Sequence, residues 1–297
     1  MKNGKRLAAM KFFALTPVAL GMLFAFGAKS DLNSVSAGAK KSYLGFDRNI
    51  YPGDAALPVL RKTFAFSSYW LGPPPGEKTN TWADKREILR QNGFGFVVLF
   101  RGREEKDFKN EEEASAKGEE DARATVEAAH REGFSSQTII YLDIEEGGRL
   151  SPNYHRYITQ WLWHVSPAYF QGGLYCSGIP VKEGKGKTIT TCEDILENLA
   201  PKSRTFSLWA YNDMCPPSPG CKFPKDPPSP STVGKRFCDE CINIWQFAQS
   251  PRRKEFTSRC APTYYRDGNC YAPGDTAHAW FLDVNSATSA DPSGGAK

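Results

Sequence analysis

Asp143 and Glu145 stand two residues apart in Tyr141-Leu-Asp-Ile-Glu-Glu-Gly-Gly148, directly after the apolar run Thr138-Ile-Ile140. Successive side chains of a strand point to opposite faces, so these two carboxyls share one face. Crowded carboxyls ionise reluctantly, and at least one keeps its proton near neutral pH. A protonated acid beside an ionised one is the pair that acid-base cleavage of a glycosidic bond uses. One donates to the leaving oxygen, and the other acts as nucleophile or charge stabiliser. Two further acids lie at or near the ends of strand-like runs: Asp47 in Leu44-Gly-Phe-Asp47 and Asp283 in Phe281-Leu-Asp-Val-Asn285. Each alone reads as a turn residue or an ion-pair partner. Four acids at matching places ask for a fold that gathers strand ends.

The elements supply one. Short runs rich in β-branched and aromatic residues, bounded by Gly, Pro, Asn or Ser, predict strands over 44–49, 64–71, 94–101, 138–145, 172–177, 206–212, 242–248 and 279–285. Helical patterns fall between the early ones, over 82–91, 116–131 and 152–165, the last opened by Ser151 as N-cap and Pro152 at N1. Alternating strands and helices imply parallel strands with crossover helices. Eight strands over residues 40–287 predict an α/β protein with a (β/α)8 TIM-like barrel, whose strand C-termini ring the site. The rhythm fails after strand six. Residues 213–241 hold seven prolines and four cysteines, and 249–277 are again rich in Pro, Arg and Cys. Both stretches read as disulfide-pinned loops. The polar tail 288–297 reads as disordered.

The N-terminus points to export. Lys2, Lys5, Arg6 and Lys11 precede an apolar run from Phe12 to Ala28, the pattern of a secretory signal within residues 1–39. An uncleaved anchor is the alternative and would be the chain's membrane contact. Without residues 1–39 there remain 33 basic and 32 acidic side chains, a net of +1. That balance argues against a nucleic-acid binder, which needs a basic stripe. All eight cysteines lie between Cys176 and Cys270, and an even count in an exported chain reads as disulfides. Cys215 with Cys221 and Cys260 with Cys270 are plausible local pairs. Cys238-Asp-Glu-Cys241 has zinc spacing but lacks a second such pair, so no metal site is expected. No phosphate-cradling or dinucleotide glycine motif and no nucleophile elbow occurs, so no cofactor is expected. His130, His155 and His164 fall on helices as packing or surface groups, and His278 precedes strand eight. The expected state is a monomer.

Aromatic residues accompany the acids. Tyr69, Tyr175, Trp209 and Tyr211 are candidates to stack on sugar rings, with Arg101 and Gln246 as hydrogen-bonding partners. Trp70, Trp245 and Phe247 read as barrel filling. The ordered series Gly45-Phe-Asp47, Tyr141-Leu-Asp-Ile-Glu145, Gly173-Leu-Tyr175, Trp209-Ala-Tyr211, Trp245-Gln-Phe247 and Phe281-Leu-Asp-Val-Asn285 resembles the family 25 glycoside hydrolases, lysozyme-type muramidases on a (β/α) barrel. It is still more similar to the glycoside-hydrolase-like domain of uncharacterised secreted bacterial proteins. The resemblance spans residues 43–287. It implies Glu145 as general acid, with Asp47, Asp143 and Asp283 in support. Asp143 would act as nucleophile, charge stabiliser or orienter of a substrate acetamido group. The implied substrate is peptidoglycan or a related polysaccharide. The alternative is a catalytically silent barrel that binds polysaccharide or an envelope partner. The segment Arg48-Asn-Ile-Tyr51 and the Cys/Pro-rich stretches depart from the muramidase pattern.

Overall fold

The structure is a computed structural model describing residues 41–168, 170–199, 206–212, 227–230, 242–249 and 282–297. The signal or anchor segment, His278, most of the Cys/Pro-rich stretches and six of the eight cysteines lie outside the described residues.

The described strands are β1 (Tyr43–Asp47), β2 (Phe66–Trp70), β3 (Gly95–Arg101), β4 (Ile139–Asp143), β5 (Gln171–Ser177), β6 (Val181–Lys182), β7 (Thr188–Ile189), β8 (Ser207–Tyr211), β9 (Ile242–Ala248) and β10 (Asp283–Ala287). The described α-helices are α1 (Leu57–Leu60), α2 (Arg86–Gln91), α3 (Glu111–Arg131), α4 (Pro152–Val165) and α5 (Thr191–Asn198). Eight strands close a barrel in the order β1-β10-β9-β8-β5-β4-β3-β2, while β6 and β7 form a separate hairpin. The TIM-like barrel expected from the sequence is therefore present.

Its strands are not all parallel. From β1 through β5 and on to β8 and β9 each barrel neighbour is parallel, but β10 runs antiparallel to both β9 and β1. Side-chain alternation reports which face a residue occupies, not the direction of its strand, so the sequence concealed the reversal. The last described strand begins at Asp283, and residues 279–281 lie outside the described residues.

Helix signals act as their chemistry predicts. Ser151 Oγ accepts from Tyr154 N at 3.1 Å, with Pro152 at the first helical position of α4. Asn110 caps α3 by accepting from Glu113 N at 2.8 Å, so Glu111–Glu113 form its first turn and favour the positive end of the helix dipole. α3 and α4 cross closely at Gly118, where a Cβ would come within 2.5 Å of the Tyr157 carbonyl. Between strands and helices lies an aromatic layer. Phe46 meets Phe64 and Phe94 edge to face, with ring centroids 5.2 and 6.0 Å apart. Such pairs contribute roughly 0.5–1.5 kcal/mol beyond burial.

The tail expectation is corrected: residues 288–297 dock on the barrel. Asp291 accepts from Phe96 N at 2.9 Å and from Gly295 N and Ala296 N. Ser293 accepts from Val98 N through Oγ at 3.0 Å, donates its own N–H to Phe96 O, and accepts from Ile139 N at 2.8 Å. Polar residues that read as solvated are thus satisfying strand N–H groups near the start of β3 and β4.

Candidate active site

The rim where β1 and β4 end is also where β10 begins. Asp47 closes β1, Asp143 closes β4, Glu145 follows two residues later, and Asp283 opens β10. Asp47 and Asp283 are register partners across the antiparallel β1–β10 ladder. Burial raises the Asp47 carboxyl well above the usual carboxylate range. The Asp283 and Glu145 charges add to that rise, and a hydrogen bond from Asn285 opposes it. Burial likewise holds Asp143 well above its ordinary range, reinforced by Glu145 and then Asp47, with Arg101 pulling the other way. All four expected acids therefore belong to one cluster.

The acids differ in access. Asp143 is 2% exposed, whereas Glu145 is exposed and Asp47 and Asp283 are partly so. Among the described residues no fixed donor reaches either Asp143 oxygen. The Glu145 charge bears on Asp143 more strongly than any other side chain. Crowding two carboxyls in a buried place favours retention of one proton by the pair.

The segment carrying Glu145 is held from several sides. Ile144 N donates to Tyr175 O at 3.0 Å, and Thr191 Oγ donates to Glu146 O at 2.8 Å. Glu146 accepts from Glu105 N at 2.8 Å, a capping role matching its position on the face opposite Glu145. Leu150 N donates to the buried Asp194 at 3.1 Å, which also binds Arg149 and His155. The Cys176–Cys192 disulfide ties the end of β5 to α5, which carries Thr191 and Asp194. Gly148, at φ 79°, packs its backbone against Val181 of β6.

The expected sugar-contacting residues divide. Tyr175 donates to Gln246 Oε1 at 2.9 Å and stacks on Tyr211 at 4.8 Å between centroids. The nearby Asp47, Glu145 and Asp143 charges help raise its phenol above the ordinary range, behind burial as the larger cause. Tyr211 is partly exposed. Arg101 reaches the cluster electrostatically, pairs with Glu104 at 3.9 Å, and lines a cavity of about 350 Å³ with Pro73 and Arg103. Two expectations are corrected. Tyr69 is fully buried against Trp82, Phe96 and Phe134, and its hydroxyl donates to Glu132, so it faces the helix layer. Its place next to Trp70 in sequence put it on the opposite face of β2. Trp209 is 1% exposed and spends its Nε1–H on Asn285, so it offers no surface to a ligand.

Asn285 is the residue the sequence reading passed over. It donates to Asp47 Oδ2 at 2.6 Å while accepting from Trp209 Nε1 at 2.9 Å. The available signal was a polar side chain two positions after Asp283, hence on the same face of an otherwise buried strand. Among the described residues no group of three or more His, Cys, Asp or Glu is arranged to hold a metal ion. No described helix is long and apolar enough to cross a membrane.

No protein-family model matches the chain, and no curated protein matches it. Solved structures do. An uncharacterized protein of B. stearothermophilus is 18% identical with a TM-score of 0.52, covering 82% of this chain and 95% of its own. The catalytic domain of the Listeria monocytogenes bacteriophage endolysin ply40 is 15% identical with a TM-score of 0.49, covering 86% and 97%. The Mycobacterium tuberculosis Tat-secreted protein Rv2525c is 14% identical with a TM-score of 0.47, covering 83% and 95%. The likeness to the B. stearothermophilus protein establishes the fold: this chain shares that protein's architecture over most of its length.

Proposed function

We propose that the protein is an exported glycoside hydrolase that cleaves cell-wall or related amino-sugar polysaccharide. The observation that carries this reading is the pairing of an exposed Glu145 with a buried Asp143 in a cluster completed by Asp47 and Asp283. Glu145 is the acid that a substrate can reach. It donates its proton to the glycosidic oxygen as the C–O bond breaks, and water supplies the hydroxyl and proton that complete hydrolysis. Developing positive charge at the anomeric carbon is met by ionised carboxylates in a site of low polarity, where such stabilisation is strongest. Either a second carboxylate or the substrate's own acetamido group takes the place opposite the leaving oxygen. The stacked Tyr175–Tyr211 pair offers a ring face to a sugar. The similarity in fold to a bacteriophage endolysin domain is in keeping with a glycan substrate but does not carry the reading. Export is supported by the basic-then-apolar N-terminus and by the Cys176–Cys192 disulfide, which fits an oxidising compartment.

The test is incubation of the purified protein with peptidoglycan and with chitin-type oligomers, scored for new reducing ends and for co-sedimentation. New reducing ends are expected. Retention on the polymer without cleavage would replace the hydrolase by a binding barrel.

A further inference from the structure

We propose that Trp209 and Asn285 form a positioning pair for Asp47, the indole fixing which way the amide points and the amide holding one Asp47 oxygen as an acceptor. The pair acts on the acid cluster of the hydrolase reading and rests on that reading for its catalytic consequence. An indole N–H can only donate, so the Asn285 atom facing it must be the carbonyl oxygen, here 2.9 Å away. The amide nitrogen is then turned to Asp47 Oδ2, 2.6 Å away. The reverse orientation would set two donors against each other at Trp209 and two acceptors at Asp47. Trp209 and Asn285 are each 1% exposed, so water cannot compensate. The reversed direction of β10 makes this possible. It pairs Asn285 with Gly45 and Asp283 with Asp47, which leaves the amide one diagonal step from the Asp47 carboxyl.

The groups facing Asp47 are Asp283 on β10, Asp143 and Glu145 at and beyond the end of β4, and the Tyr175 hydroxyl on β5. Asn285 is a hydrogen-bond donor among acids. An N–H donor bonds most strongly to an ionised acceptor. The amide thereby offsets part of the burial and of the Asp283 charge that raise Asp47, while among the described residues no fixed donor does the same for Asp143. The Asp143–Glu145 pair is thus favoured over Asp47 as the holder of the cluster's proton.

The experiment is a carboxyl-carbon NMR titration of the whole protein labelled at aspartate, with Asp47 assigned through Asp47→Asn. Asn285→Ala is expected to raise the Asp47 midpoint by about one pH unit. Trp209→Phe keeps a ring in the core and frees the amide to turn, and a smaller rise in the same direction is expected. The acid limb of kcat should move with the midpoint while KM stays constant. Near-UV circular dichroism checks that each variant is folded, and Trp209→Phe decides the matter where Asn285→Ala is not. A folded Trp209→Phe protein whose Asp47 titrates like wild type overturns the pairing. If the midpoint moves but the wild type releases no reducing ends, the hydrolase reading falls and the pairing stands.

Discussion

Asp47 of β1 stands directly opposite Asp283 of β10 across an antiparallel ladder, one acid at the end of its strand and the other at the beginning. In a wholly parallel barrel the start of a strand lies at the opposite mouth. The reversal of β10 therefore brings a fourth carboxylate to the rim that β1 and β4 already supply. Two acids side by side in a sheet repel one another. The fold retains this repulsion at the same place where it gathers Asp143 and Glu145.

Glu145→Gln is expected to reduce release of reducing ends by at least about 100-fold, the usual scale for loss of a general acid. Because Glu145 is exposed, its thermal midpoint should stay within about 1 °C of wild type, consistent with surface substitutions. Full activity in this variant would remove Glu145 from the mechanism.

Asp143→Asn should stabilise the protein at neutral pH. The folded-state carboxyl sits well above its ordinary value through burial and the Glu145 charge. Below about pH 3.9, the unfolded value, folded and unfolded chains both hold the proton and no penalty arises. As pH rises through the window between the unfolded and folded values, the unfolded chain loses its proton first and stability falls. The amide avoids this cost and can donate to Glu145. A gain of about 1–2 kcal/mol at pH 7 is expected, shrinking toward pH 4. Denaturant melts at both pH values check it, and a variant less stable than wild type at pH 7 would contradict it.

The docked tail yields a truncation test. Ending the chain at residue 287 removes the acceptors that Asp291 and Ser293 provide to Phe96, Val98 and Ile139. Each buried N–H left unpaired costs about 1–3 kcal/mol, so a loss of about 3 kcal/mol or more is expected. An unchanged urea midpoint would mean that the tail adds nothing to the barrel.

Asp121 accepts two hydrogen bonds from Arg103, at 2.8 and 2.7 Å, and one from the Tyr157 hydroxyl at 2.8 Å. It ties the segment after β3 to α3 and α4. Asp121→Ala leaves the buried Tyr157 hydroxyl without its acceptor and the part-exposed Arg103 with Glu120 at 3.5 Å, a cost of about 1–3 kcal/mol. Equilibrium unfolding measures it. A loss below about 1 kcal/mol would place the pair among weak surface bridges.

Gly45→Ala tests how tightly the β1 strand is seated. A Cβ there would lie 2.0 Å from the Phe66 ring, so either the ring or the strand bearing Asp47 must move. Overpacking of this kind costs about 1–3 kcal/mol, and a fall in hydrolysis should accompany it. A variant with wild-type stability and rate would show that β1 has slack.

Much of the fold was legible because strand alternation, turn residues and caps act locally. β9 spans the residues its pattern marked, and Ser151-Pro152 opens α4 as its chemistry requires. The site was legible in part for the same reason: Asp143 and Glu145 share a face by spacing alone. Tyr69 was misplaced because β2, Phe66-Ser-Ser-Tyr-Trp70, sets a serine and an aromatic on each face, and such a pattern cannot say which face meets the helices. The sequence by itself determined that acids stand at strand ends and which of them are two apart. Only the tertiary structure decided that β10 runs backward, that the tail is bound, and that Trp209 turns Asn285 toward Asp47. Those depend on contacts between residues far apart in the chain, and such contacts leave no periodic trace in either partner.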